Sequence, residues 1–278
     1  MSSIENSAYK KVELYEGDCL RLMRELEDKS VDMICCDLPY GTTACKWDAV
    51  IPFEELWKQY NRVIKDNGAI VLFGSEPFTS RLIMSNLEMF KYNWYWNKKS
   101  ASGFVNAKLK PMGTIETISV FSKGKTSNGN QNNMPYFPQG LVPYNKVTRR
   151  GNKESKENTF WRPSTKDNCN FQEWTNYPKN YLEFAYQKKA VHPCQKPVDL
   201  LEYLVKTYTR EGEVVLDNCM GSGSCGVACV HTGRSFIGME KESRYFHIAC
   251  HRIAVEAQSS SYFIALEEVW HEQENNRA

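Results

Sequence analysis

Short apolar runs alternate along the chain with segments whose apolar positions recur at helical spacing. Val12–Tyr15 reads as a strand and Cys19–Leu26 as a short amphipathic helix. Val31–Cys36 is a second apolar strand, and it ends at Asp37. Phe53, Leu56, Trp57, Tyr60 and Ile64 share one helical face, and Ala69–Phe73 follows as another buried strand. Pro77 suits the first turn of a helix that turns Phe78, Leu82 and Ile83 inward. Phe90, Tyr92, Trp94 and Trp96 alternate with polar residues, as in a strand with one buried face, and Thr114–Phe121 is a further strand.

The pattern then lapses. From about Gly124 to Lys189 the chain is rich in Asn, Lys, Tyr, Trp and Pro with little periodicity. A structureless loop of that length does not suit a compact domain, so this stretch is expected to be a functional insertion or a small subdomain. Regular order returns with a helix near Val198–Tyr208, strand Val214–Asp217, helix Ser224–His231, strand Phe236–Glu240 and helix Arg244–Ala257. Repeated alternation of strand and helix predicts an α/β fold: a doubly wound, mostly parallel sheet covered by helices on both faces. The expected divisions are 1–123 and 190–278 for the two halves of that domain and 124–189 for the insert.

Composition narrows the class without naming a chemistry. The 278 residues suffice for an α/β core with one inserted module, and 41% hydrophobic with 24% charged residues is ordinary for a soluble domain. The apolar runs are too short to span a bilayer, and the first residues lack a secretory pattern, so a cytoplasmic location is expected. Most of the ten cysteines lie in apolar segments, where free thiols behave as small hydrophobes. A metal set of Cys225 and Cys229 with His247, Cys250 or His251 has no paired C-x₂-C spacing behind it, and no metal is expected. The net charge is only +2, yet between Lys123 and Lys189 basic residues outnumber acidic ones, as phosphate neutralisation would require.

Two segments carry candidate chemistry. In Val214-Val-Leu-Asp-Asn-Cys-Met-Gly-Ser-Gly-Ser-Cys-Gly226 an apolar strand ends in Asp217, a glycine loop follows and a helix begins. Gly221, Gly223 and Gly226 allow a sharp turn and close approach of backbone to a ligand. The next strand ends in Glu240, where an acidic side chain can take both ribose hydroxyls. No Lys-Ser or Lys-Thr closes the loop, so it is not a Walker loop, while a nicotinamide cofactor stays open on this motif alone. The second segment, Asp37-Leu-Pro-Tyr40, directly follows a strand, where open α/β sheets hold their ligands. An exocyclic amine on a base is a poor nucleophile because its lone pair is delocalised into the ring. A carboxylate and a backbone carbonyl that accept its two N–H groups would free that lone pair, and Tyr40 offers a face to an extruded base.

Together the two segments resemble one family, the β-class or permuted DNA amino-methyltransferases, in which a D-P-P-Y motif precedes the cofactor loop with the target-recognition region between. The resemblance runs from about Val12 to Ala257, and its fold is a Rossmann-like S-adenosylmethionine-dependent methyltransferase. Glu16-Gly-Asp-Cys-Leu20 is similar to the family's G-D-C segment, which implies cofactor contacts for Asp18 and Cys19. His192-Pro-Cys-Gln-Lys-Pro197 is similar to its H-P-T-Q-K-P segment, which implies that His192, Gln195 and Lys196 help hold the methionine end. Trp96-Asn-Lys98 and Glu116 also fall at family positions.

The resemblance implies that Asp37, Pro39 and Tyr40 are catalytic and that Asp37, Asp217, Gly221, Gly223 and Glu240 belong to the cofactor site. Leu38 replaces the first proline of D-P-P-Y, and Asn218-Cys219 replaces the usual Pro-Phe, which removes an aromatic wall of the pocket. Asp37 in place of Ser implies adenine N6 rather than cytosine N4 as target. Cytosine C5 chemistry is disfavoured, because the one Pro-Cys pair, Pro193-Cys194, lies in the cofactor-like segment. The insert is expected to read double-stranded DNA, with Arg149 and Arg150 on phosphates. A homodimer and a separate cognate restriction endonuclease are the partners the family brings into view. An RNA methyltransferase, a catalytically idle DNA binder and a dinucleotide oxidoreductase are the rival readings.

Overall fold

A computed structural model describes residues 10–42, 48–149, 169–186, 195–258 and 262–267, with the side chains of 148, 149, 169, 170, 266 and 267 left aside. In chain order the elements begin with β1 (Lys10–Glu16), α1 (Cys19–Leu22), β2 (Val31–Cys36), α2 (Phe53–Val63), β3 (Ile64–Gly74) and α3 (Phe78–Ser85). They continue with β4 (Phe90–Ser102), β5 (Gly113–Phe121), β6 (Val142–Arg149), β7 (Cys169–Thr175) and β8 (Tyr181–Glu183). The last are α4 (Val198–Tyr208), β9 (Val214–Asp217), α5 (Ser224–Thr232), β10 (Ser235–Glu240), α6 (Ser243–Ala257) and β11 (Tyr262–Glu267).

Nine strands form one sheet in the order β11-β1-β10-β9-β2-β3-β5-β4-β8. Among its described strands β5 alone is antiparallel to its neighbours. The inner strands are buried on both sides, and successive residues feed opposite cores. In β3, Ala69, Val71 and Phe73 pack with α4, α5 and α6, while Ile70 and Leu72 pack with α1, α2 and α3. This is the doubly wound arrangement expected of continuous apolar runs in a parallel sheet. From β2 the chain proceeds to β3 on one side, and from β9 to β10 on the other. The winding therefore reverses between the adjacent strands β2 and β9, and a crevice opens at their carboxyl ends.

Some boundaries differ from the periodic reading for local reasons. Ile64, on the apolar face of the helical pattern, caps α2 in an extended conformation and opens β3. The helix buries Leu56, Trp57, Tyr60 and Val63, and it begins with Glu54 and Glu55, which complement its N-terminal dipole. The alternation expected from Phe90 onward is broken by a register shift between Phe90 and Tyr92. Phe90 consequently packs in one core and Tyr92, Trp94 and Trp96 in the other. The strand also continues well past Trp96, to Ser102.

Pro138–Lys179 forms a compact unit of its own, and Met1–Phe137 with Asn180–Ala278 forms the other. The smaller unit holds the antiparallel pair β6 and β7, with Val147 and Phe171 exposed. Tyr136, Phe137 and Tyr181, read as part of the insert, lie within the bounds of the larger unit. Among the described residues no helix is long and apolar enough to cross a membrane.

Candidate active site

Each key side chain sits where a buried strand gives way to a turn. β2 delivers Asp37, β9 delivers Asp217 and β10 delivers Glu240, all at the carboxyl edge of the sheet. A cavity of about 920 Å³ opens there, within the range typical of small-molecule sites. Its wall brings together Asp18, Cys19, Asp37, Pro39, Tyr40, Gln195, Lys196, Asp217, Gly221 and Glu240. Lys98 and Glu116 line it as well.

One end of the cavity gathers three carboxylates, those of Asp18, Asp217 and Glu240. Glu240 Oε2 accepts from the Gly221 N–H and Oε1 from the Glu242 N–H, both at 2.8 Å. The Lys241 N–H also reaches this carboxylate, so three of its roughly four acceptor sites are taken by backbone. Burial raises the Glu240 pKa, and its backbone donors offset part of the rise. Asp18 caps α1, its Oδ1 accepting from Leu20 N at 3.0 Å and Arg21 N at 3.3 Å. Asp217 is 5% exposed, and burial pushes its pKa up to about 7 against the Cys219 N–H that it accepts at 3.1 Å. Gly221 has a φ of +52°, and nothing lies within 4 Å of a Cβ built there, so its backbone borders open space. Gly223, by contrast, is a packing glycine with Ala249 of α6 against it, and it is not among the lining residues. Gln195 is buried and meets the Ser222 hydroxyl at 3.3 Å, and Arg252 donates to that hydroxyl at 3.0 Å.

At the other end Asp37 is held from two sides. Its Oδ1 accepts from the Tyr40 hydroxyl at 2.6 Å, and its Oδ2 pairs with Lys196 Nζ at 2.6 Å. Lys196 also lies 3.4 Å from Glu116 Oε2, and Glu116 Oε1 is 3.2 Å from Lys98 Nζ. The result is a row of alternating charge, Asp37–Lys196–Glu116–Lys98, largely shielded from water. The Tyr40 ring stacks on Phe78 with centroids 4.9 Å apart and an interplanar angle of 28°. Its backbone is steadied by Asp48, whose two oxygens accept from Gly41 N and Thr42 N, each at 2.9 Å. Asp48 was not singled out from the sequence, since a lone carboxylate eight residues beyond Tyr40 carries no spacing signal.

Asn218, where the resembling family has proline, is buried and accepts from the Tyr60 hydroxyl at 2.6 Å. The departure is thus tied into the core by a partner on α2. Leu38 is buried and packs with the α1–α3 side of the sheet. His192 and Arg150 lie outside the described residues, as does the side chain of Arg149.

Comparison with known proteins bears on this geometry. The N6_N4_Mtase family model, described as DNA methylase, matches residues 31–251. The Type II methyltransferase M1.MboII of Moraxella bovis is 27% identical over 254 residues, spanning 85% of this chain and 94% of its own. The crystal structure of an M1.HpyAVI–SAM complex is similar with a TM-score of 0.54 at 23% identity, over 87% of this chain and 99% of that one. The cytosine-N4-specific PvuII DNA methyltransferase gives 0.59 at 14% identity, over 94% and 98%. At such identities the solved structures speak to the fold alone. The family match spans both candidate segments and most of the chain, and the chain belongs to the N6/N4 DNA methylase family.

Proposed function

We propose that the chain transfers a methyl group from S-adenosylmethionine to the exocyclic N6 of adenine in double-stranded DNA, and that it is a β-class enzyme. The observation that carries this reading is the position of Asp37. Its carboxylate is oriented by Tyr40 and Lys196 and shares one cavity with Asp217, Gly221 and Glu240. The residues fit the cofactor: Glu240 and Asp18 suit its ribose and adenine, open space at Gly221 suits its close approach, and buried Asp217 suits its positive charge. When bound, it supplies an electrophilic methyl on a sulfonium. Cys19, Gln195 and Lys196 complete the wall around it, and His192 is assigned there by resemblance.

Asp37 retains lone pairs beyond those given to Tyr40 and Lys196, so it can accept one N–H of the target amine. The Pro39 carbonyl accepts the other. The Tyr40 ring, stacked on Phe78, is assigned to hold the flipped base by stacking. Catalysis is then orientation and electrostatics, with no covalent enzyme intermediate. The proton released after transfer leaves through Asp37 or water. Asp37 rather than serine supports adenine over cytosine N4. Unit Pro138–Lys179, with Arg149 and the adjoining Arg150, is assigned to target recognition. Asp37→Ala should abolish methylation while measurable cofactor binding remains, read by calorimetry beside a methyl-transfer assay. Loss of both would mean that the roles are misassigned.

A further inference from the structure

The β4–β5 hairpin runs past the carboxyl edge of the sheet. β3 ends at Gly74, which pairs with Thr117 of β5, yet β5 begins at Gly113 and β4 extends to Ser102. Those extra residues carry the hairpin roughly 13 Å beyond β3 at about 3.3 Å per residue. The overshoot lies on the same edge as Asp37, and Lys98, Ser100, Ser102 and Glu116 from it line the cavity. The hairpin is thus a wall of the active site that continues outward.

Its tip is a hydrogen-bonded turn that exposes apolar side chains. Phe104–Asn106 forms a 3₁₀ turn, with Ala107 N donating to Phe104 O at 3.0 Å and Lys110 N to Asn106 O at 3.0 Å. On this turn Phe104, Val105 and Leu109 are 80%, 95% and 86% exposed. Beside them stand Lys108 and Lys110, and from Ser100 to Met112 the chain has no acidic residue. Three large apolar side chains on a braced turn, whose charged sequence neighbours are lysines, match a partner with a stacked apolar interior and an anionic outline. A second copy of the chain would cover the apolar residues but would set the lysines near their own kind in an isologous contact.

We propose that this tip is a wedge for duplex DNA, an inference that rests on the DNA-methylating function above. Phe104 and its apolar neighbours enter the stack beside the target pair, while Lys108 and Lys110 meet the flanking phosphates. A wedge of this kind offsets the unstacking that extrusion of a base requires.

The test uses the full chain with Phe104→Ala and Leu109→Ala together, on the duplex that the unaltered enzyme methylates. A second duplex carries the same target base opposite an abasic site, so that it is already unpaired. On the paired duplex kcat/KM should fall by about tenfold or more, and on the unpaired one by no more than about threefold, since extrusion is then nearly free. Replacing Lys108 and Lys110 by alanine should reduce the salt dependence of DNA binding by about 2 in log–log slope. Equal losses on both duplexes, or no loss on the paired one, would overturn the wedge. So would unchanged methylation with a change in the mass of the free protein, which would assign the tip to self-association. Failure of the unaltered enzyme to methylate any DNA would instead count against the proposed function.

Discussion

Asp217→Asn should stabilise the cofactor-free protein, and by an amount that depends on pH. The carboxyl closes β9 at 5% exposure, and burial pushes its pKa up to about 7 from an ordinary 3.8. Between about pH 4 and pH 7 the unfolded chain has released this proton while the folded one retains it. Stability therefore declines as pH rises through that window; no cost exists below it, and the full cost stands above it. Three units correspond to about 4 kcal/mol at pH 8 and to less than half of that at pH 5. Asparagine keeps an oxygen for the Cys219 N–H and removes the charge. The Cys36 thiol also hydrogen-bonds Asp217 and would lose that acceptor, so the net gain at pH 8 should be about 2–4 kcal/mol. Urea midpoints of the free protein at pH 5 and pH 8 would read it. The same charge should draw in a cationic cofactor. In the parent, affinity should rise with pH by up to about tenfold per unit below pH 7 and then level off, whereas the variant should show a weak, flat profile. A variant no more stable than the parent at pH 8, or a gain that ignores pH, would refute the reasoning.

Asp48→Ala should lower kcat by about 10–100-fold, because it releases the turn that sets Tyr40, and it should leave cofactor affinity unchanged. Asp48→Asn keeps one carbonyl acceptor and should recover part of the loss, as steady-state kinetics beside calorimetry would show. The two loop glycines should respond differently. Gly223→Ala places a Cβ 3.0 Å from the Ala249 Cα at a φ of +78°. It should cost about 2–4 kcal/mol in a chemical melt. Gly221→Ala meets no atom within 4 Å. It should cost only about 1–2 kcal/mol for its left-handed backbone, while weakening cofactor binding by intruding on the cavity.

How much of this could be read in advance follows from which forces are local. The inner strands β2, β9 and β10 are apolar runs buried on both faces, and the acid that ends each strand marks the ligand edge, so Asp37, Asp217 and Glu240 were legible. Edge strands carry no such signal. β8 is three residues long and offers no run to read, whereas β11 lies in an apolar run, Tyr262–Leu266, beyond the last helix of the alternating pattern. The Lys196–Asp37 pair joins residues 159 apart in sequence. Resemblance placed Lys196 with the cofactor, but only the meeting of β2 with the segment before α4 sets it on Asp37. The overshoot of β4 was hidden because its alternation fades at Trp96, where the strand leaves the core and its neighbours become solvent and the cavity. Asn218 read as a lost proline, and its hydrogen bond to Tyr60 depends on the packing of α2 across the sheet.

The central claim is most directly tested by incubating the protein with methyl-labelled S-adenosylmethionine and unmodified duplex DNA, then identifying the labelled nucleoside by mass spectrometry. The account predicts N6-methyladenine, and none from the Asp37→Ala variant. N4-methylcytosine would contradict the choice of base, and an absence of labelled nucleoside despite measured cofactor binding would contradict the proposed reaction itself.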